Sequence, residues 1–213
     1  MKNLEEIASQ IQYKLDEKDA VREVALKSSR AIIRIAAGIV HAIHKHEDVK
    51  NEFTEARDEV HRLRSLLEDH PDIWNAGFVE DAMAEIAEAS ILFSIINSEE
   101  LPDPEDLGIT SASYLLGLGD VIGELRRFAL ESLRNGEVES AQRYLDMMEE
   151  IFLILMRFDY PDAIVPIRRK QDVARSLLEK TRGEVAVAIC SKRLEERLKN
   201  LEKSIDFYKC DPR

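Results

Sequence analysis

A chain of 213 residues with 45% hydrophobic and 34% charged side chains can bury one substantial core, which excludes a disordered or low-complexity protein. Its two cysteines, Cys190 and Cys210, form neither a disulfide framework nor a metal-spaced pair and fit a reducing cytoplasm; no apolar run reaches the ~20 residues that span a bilayer, and the start of the chain, with Lys2, Glu5 and Glu6, lacks a signal-peptide centre. The net charge of −12 opposes nucleic-acid binding unless the cations are gathered on one surface, because phosphate contacts supply most of that affinity.

With only 8 Gly and 6 Pro, the elements should be few and long, and no β-type alternation is evident. Leu4, Ile7, Ile11 and Leu15 make a first helical stripe, followed by a polar break at Asp16 to Asp19. Val21, Val24, Ser28, Ile32, Ile35, Ile39 and Ile43 make a second, longer one. Its other side carries Lys27, Arg30, Arg34, His41 and Lys45, with Gly38 midway and no acid within the row. Phe53, Ala56, Val60, Leu63 and Leu67 mark a third helix that ends before Pro71. Trp74, Phe78, Ala82, Ile86, Ala89, Phe93 and Ile96 mark a fourth, and beside them run Asp81, Glu85 and Glu88.

Pro102 and Pro104 identify 98–109 as a connector holding a short turn capped by Asp103. Thr110 or Ser111 then caps a helix that Asn135-Gly136 ends. Gly117, Asp120, Glu124 and Arg127 share one side of it. Gly costs a helix interior roughly 1 kcal/mol against Ala, so Gly117, Gly119 and Gly123 in neighbouring turns imply close approach. Val138, Ala141, Leu145, Met148, Phe152 and Leu155 give a sixth helix, 160–166 a second connector, and 168–201 one long helix or two in series. The expected fold is all-α: about seven long antiparallel helices in one bundle-like domain over 1–213, with a tail frayed from about 205.

Glu85 and Glu88 share a helix face at a spacing of three, as Asp120 and Glu124 do at four. If the two helices pack together, four carboxylates converge, and hard oxygen donors suit Mg²⁺ or Mn²⁺. The bland alternative is a pair of solvated acidic faces, with Arg127 placed to hold Glu124 in an i, i+3 salt bridge. The basic row is a candidate RNA surface, or else an exposed face answering acidic neighbours. His41 and His44 lack the Glu-x-x-His frame of a di-iron bundle, and His44 is read as a hydrogen-bonding residue. Arg168, Arg169 and Lys170 open a helix, where positive charge opposes the dipole, and read as a solvated patch. No aromatic platform for stacking bases is apparent, and Trp74 and Phe78 read as core or interface. Ile33 and Val40, apolar beside the main row of their helix, call for cover by a partner subunit.

The stretch SYLLGLGDVIGELRR, Ser113 to Arg127, resembles the signature helix of the translin/Trax family, Trax being translin-associated factor X. Ser29-Arg30 followed by His44-Lys45 is similar to the family's Ser-Arg and His-basic positions, and Asn135-Gly136-Glu137 to its Asn-Gly-acid turn. The similarity runs from about Lys27 to Cys190. It implies an all-helical fold, oligomeric shells that are typically octamers, nucleic-acid binding and, in the Trax branch, Mg²⁺-dependent RNA cleavage. Glu85 and Glu88, followed by Ala89, look like the E-x-x-E of that cleaving branch, and Asp120 and Glu124 match the D and E of the signature helix.

On this resemblance, Glu85, Glu88 and Asp120 are catalytic and bind metal together with Glu124. Lys27, Arg30, Arg34, His41, Lys45 and Arg127 are the RNA contacts, Arg30 and Lys45 matching basic family positions. The implied protein is a cytoplasmic, Trax-like endoribonuclease of the archaeal type that forms homo-oligomers, needs Mg²⁺ (Mn²⁺ as a substitute) and has no membrane partner. Two rivals remain. One is a translin-like RNA-binding scaffold with structural carboxylates. The other is an all-α nucleoside triphosphate pyrophosphohydrolase, whose E-x-x-E is followed by E-x-x-D where this chain has Asp120-xxx-Glu124.

Overall fold

In the computed structural model, backbone is described for residues 3–209 and side chains for 3–204; among these residues there are eight helices and no strand. No helix among them is long and apolar enough to cross a membrane. Helix α1 runs unbroken over Leu4–His44. The expected break at Asp16 to Asp19 does not occur: the segment contains neither Gly nor Pro, its side chains are solvated, and Lys18 forms an ion pair with Asp72. Only the second half of α1 packs, through Ala25, Ser29, Ile32, Ala36, Ile39 and Ile43. This face is turned by one residue from the expected row, so that Val24 is exposed and Ser28 half-buried.

Helix α2 (Lys50–Leu66) lies against α1, buries Ala56, Val60 and Leu63, and holds Ser28, whose hydroxyl donates to Glu59 Oε1 at 2.7 Å. Pro71 opens a four-residue helix, α3 (Pro71–Trp74). Helix α4 (Gly77–Asn97) is apolar on almost every side and packs along α1, so it forms the centre of this part of the molecule. After Ser98 the connector makes α5 (Pro104–Leu107), capped by Asp103, whose backbone N–H donates to Asp106 Oδ2 at 3.4 Å.

Helix α6 (Ser111–Arg134) begins at Thr110, whose Oγ1 accepts the N–H of Ser113 at 3.0 Å. Gly136, at φ 77°, turns the chain out of it. Helix α7 (Val138–Leu155) buries Ala141, Leu145, Met148 and Leu155. Helix α8 (Arg168–Lys209) is one helix rather than two in series, and residues 210–213 of the expected tail lie outside the described residues.

The residues divide into two compact units. One comprises the chain up to Val121 with Asp159–Arg168; the other comprises Ile122–Phe158 and the residues from Arg169 on, so α6 contributes to both. In the second unit Phe128 stacks on Tyr144 at 5.4 Å between ring centroids. The Arg126 guanidinium donates to both carboxylate oxygens of Glu184, at 2.7 and 2.9 Å, the bidentate geometry that makes Arg–carboxylate pairs strong. Buried Gln171 donates to the carbonyls of Leu155 and Phe158 at 2.8 and 2.9 Å, satisfying acceptors that the end of α7 leaves open.

Candidate functional site

Gly117 fixes the relation of α6 to α4. A Cβ there would stand 2.4 Å from the carbonyl oxygen of Ala84, 2.6 Å from Ala87 Cβ and 2.8 Å from the backbone nitrogen of Glu88. Main chain therefore meets main chain at the turn of α4 that carries Glu85 and Glu88. Ser113, one turn earlier on α6, and Thr110, just before that helix, line a cavity with Glu80 and Met83, one turn earlier on α4, so the two helices run in the same direction here. Asp120 follows Gly117 by three residues, on the same side of α6.

Glu85, Glu88 and Asp120 thus occupy facing turns of two closely packed helices. All three are half-buried, and each already takes part in polar or electrostatic contacts. The donor set is entirely oxygen, and an absent Cβ is what permits the approach; both features fit a hard divalent cation. As the side chains stand, no three His, Cys, Asp or Glu among the described residues are grouped as a ready ligand set. Glu124, four residues after Asp120, is half-buried and lies 3.7 Å from Arg127 in an i, i+3 ion pair. Gly123 does not serve close packing, because a Cβ there would meet nothing within 4 Å.

The basic row is laid out on α1 as the spacing implies. Lys27, Arg30, Arg34, His41 and Lys45 are all exposed, on the side of the helix opposite Ala25, Ile32, Ala36 and Ile43. Gly38 leaves the middle of the row open, since a Cβ there would have nothing within 4 Å. His44 is half-buried beside the row. Arg127 is exposed on α6. The Arg168–Lys170 cluster is not a uniform patch: Arg168 pairs with Asp159 at 3.3 Å, and Lys170 is half-buried with contacts of its own.

One feature is not legible as a site in the sequence. A polar cavity of about 420 Å³ opens at the first turns of α4 and α6, with Trp74, Asn75, Glu80 and Asp162 in its wall. Burial, reinforced by neighbouring Asp81, pushes the Glu80 carboxyl above its ordinary range. Trp74 is the last residue of α3 rather than part of the stripe of α4. Its position between Pro71 and Gly77 is the available signal.

The Translin family pattern matches residues 16–185. An uncharacterized protein of Methanocaldococcus jannaschii is 37% identical over 203 residues, covering 93% of this chain and 90% of that one. The crystal structure of AfC3PO is 33% identical, with a TM-score of 0.69, over 86% of this chain and 97% of its own; its complex with duplex RNA is 32% identical, with a TM-score of 0.67, over the same shares. Apo-NeC3PO, at 21% identity and a TM-score of 0.72 over 88% of this chain and 98% of its own, shares the fold. The chain belongs to the Translin family, and its all-helical architecture is that of the C3PO structures.

Proposed function

We propose that this protein is a divalent-cation-dependent endoribonuclease of the Trax-like branch, using Mg²⁺ or Mn²⁺ and working as a homo-oligomer, an octamer on the family's pattern. The observation that supports the reading is the seat of Gly117 on Ala84–Glu88: Asp120 follows Gly117 by one turn on α6, and Glu85 and Glu88 belong to the turn of α4 that Gly117 meets. The solved complex of AfC3PO with duplex RNA supports RNA as the ligand.

Glu85, Glu88 and Asp120 would hold the cation, with Glu124 as a fourth carboxylate released from Arg127. A bound divalent ion supplies charge stabilisation at a phosphoryl oxygen and lowers the pKa of water. The carboxylates orient the substrate by repulsion as well: without a cation they exclude phosphate from their own turn. Lys27, Arg30, Arg34, His41 and Lys45, on the solvent side of α1, bind phosphates together with Arg127, so binding and cleavage draw on different side chains. The alternative, a translin-like RNA-binding scaffold, is favoured by the ungathered carboxylates and by the Glu124–Arg127 pair.

Labelled single-stranded and duplex RNA, incubated with the protein in Mg²⁺ and then in EDTA, separates the two. Cleavage in Mg²⁺ that EDTA stops, and that Glu85→Gln lowers by orders of magnitude while RNA binding holds or rises, is the expected result. The metal-free Glu85→Gln protein should be as stable as the wild type or slightly more so, since one like charge is gone. RNA bound but never cut rejects the enzyme; cleavage by Glu85→Gln at the wild-type rate in Mg²⁺ rejects this carboxylate site.

A further inference from the structure

The cavity at the first turns of α4 and α6 has a composition unlike that of the phosphate-binding row. Among the described residues no Lys, Arg or His lines it, so it is built against anions. Its polar wall is rich in acceptors: the carboxyls of Glu80 and Asp162, and the amide of Asn75. The Asn75 Nδ2 group donates one of its two N–H bonds to the Pro71 carbonyl at 2.7 Å, and Oδ1 remains an acceptor that a ligand can use. The hydroxyls of Thr110 and Ser113 are committed to each other and to the start of α6, at 2.9 and 3.0 Å. Trp74 adds an indole, a flat apolar surface of the kind on which aromatic heterocycles stack. At about 420 Å³ the volume admits a single ring system rather than a helix or a strand.

A ligand matching this wall is flat, uncharged and rich in N–H donors. We propose that the cavity binds one amino-bearing nucleobase — adenine, cytosine or guanine, in preference to uracil — between Trp74 and the acceptors Asn75, Glu80 and Asp162. An exocyclic amine gives such a base the donor that a carboxylate accepts, whereas uracil presents mainly carbonyl oxygens to the same wall. The half-buried Glu80, already raised by desolvation, gains a donor on binding and so discriminates most strongly. Both a base splayed out of a single strand and a free nucleoside carry this chemistry. The choice of RNA as the source rests on the proposed function; the pocket's preference does not.

Trp74 is the chain's single tryptophan and so reports on this cavity alone. The intact protein, in EDTA so that cleavage plays no part, is titrated with adenosine, cytidine, guanosine and uridine while tryptophan fluorescence is followed at red-edge excitation. Equilibrium dialysis with labelled nucleosides gives a second reading. Saturable quenching by amino-bearing nucleosides, with uridine weaker by about tenfold as one lost hydrogen bond predicts, supports the site. Glu80→Gln, which replaces an acceptor with a donor, should reduce that preference severalfold. Asp162→Asn on the exposed loop repeats the test without disturbing α4.

A second arm uses oligouridylate carrying a single cytidine. Tighter binding than free cytidine identifies a strand as the source, and binding of the free nucleoside alone identifies a small molecule. Equal quenching by uridine, no saturable signal from any nucleoside, or a preference unchanged in both variants overturns the proposal. An inactive nuclease that still shows the preference overturns only the cleavage reading.

Discussion

At the scale of single residues, Gly117 and Gly38 make opposite demands of the same substitution. Gly117→Ala places a Cβ against the backbone of α4, which cannot rotate out of the way. We expect a loss of about 1–3 kcal/mol, the usual cost of overpacking. Gly38→Ala meets nothing and removes backbone entropy from the unfolded chain, for a gain of about 0.5–1 kcal/mol. Denaturant unfolding of both variants at one fixed protein concentration checks this. A Gly117→Ala protein as stable as the wild type would remove the close helix contact on which the proposed carboxylate site depends. The sequence carried half of this contrast. A glycine beside an acidic helical pair implied close approach, correctly for Gly117, yet the same inference failed for Gly123 because spacing alone does not say which turn has a neighbour.

At the scale of elements, α1 divides its labour between two faces. Its buried side uses small and β-branched residues to meet α4 and α2, while the opposite side carries Lys27, Arg30, Arg34 and His41, with open space at Gly38. Replacing Arg30 and Arg34 together with Ala should therefore leave folding intact and weaken RNA binding across all sequences alike. Each lost phosphate contact should flatten the log–log salt dependence by roughly 0.7–0.9. Filter binding over a range of salt concentrations measures both terms, and an unchanged slope would move the RNA to another surface. The row was fully legible because a solvated helical face obeys the 3.6-residue period without interference. The helix boundaries were less so: Asp16 to Asp19 reads as a break by polarity, but polarity without Gly or Pro does not end a helix.

At the scale of the whole molecule, the apolar surface left uncovered lies elsewhere than expected. Ile33 and Val40 are half-buried. The larger exposure is at the start of α1, where Leu4, Ile7, Ile11 and Leu15 are 45–60% exposed, and on α8, where Leu194, Leu198 and Leu201 are 60–62% exposed. Two such stripes favour burial against other copies of the chain. Light scattering at micromolar protein should report a species several times the monomer mass, and Ile11→Glu with Leu198→Glu should reduce it. A monomer as the sole wild-type species would sink the assembly.

Sequence by itself determined the all-helical class, the long elements, the basic row and the family, because helical period, scarce punctuation and short motifs are local properties written within a few turns. It also picked out the carboxylates by helical spacing, and their proposed role by resemblance. Tertiary structure decided which turns face one another: the connector through α5 returns the chain so that α6 runs alongside α4, and Gly117 seats against the turn Ala84–Glu88. It likewise created the cavity of Trp74 and Glu80, whose walls come from segments as far apart in the chain as Trp74 and Pro166. No local pattern encodes such a site, because its chemistry arises from desolvation and proximity, and both exist only once the helices have packed.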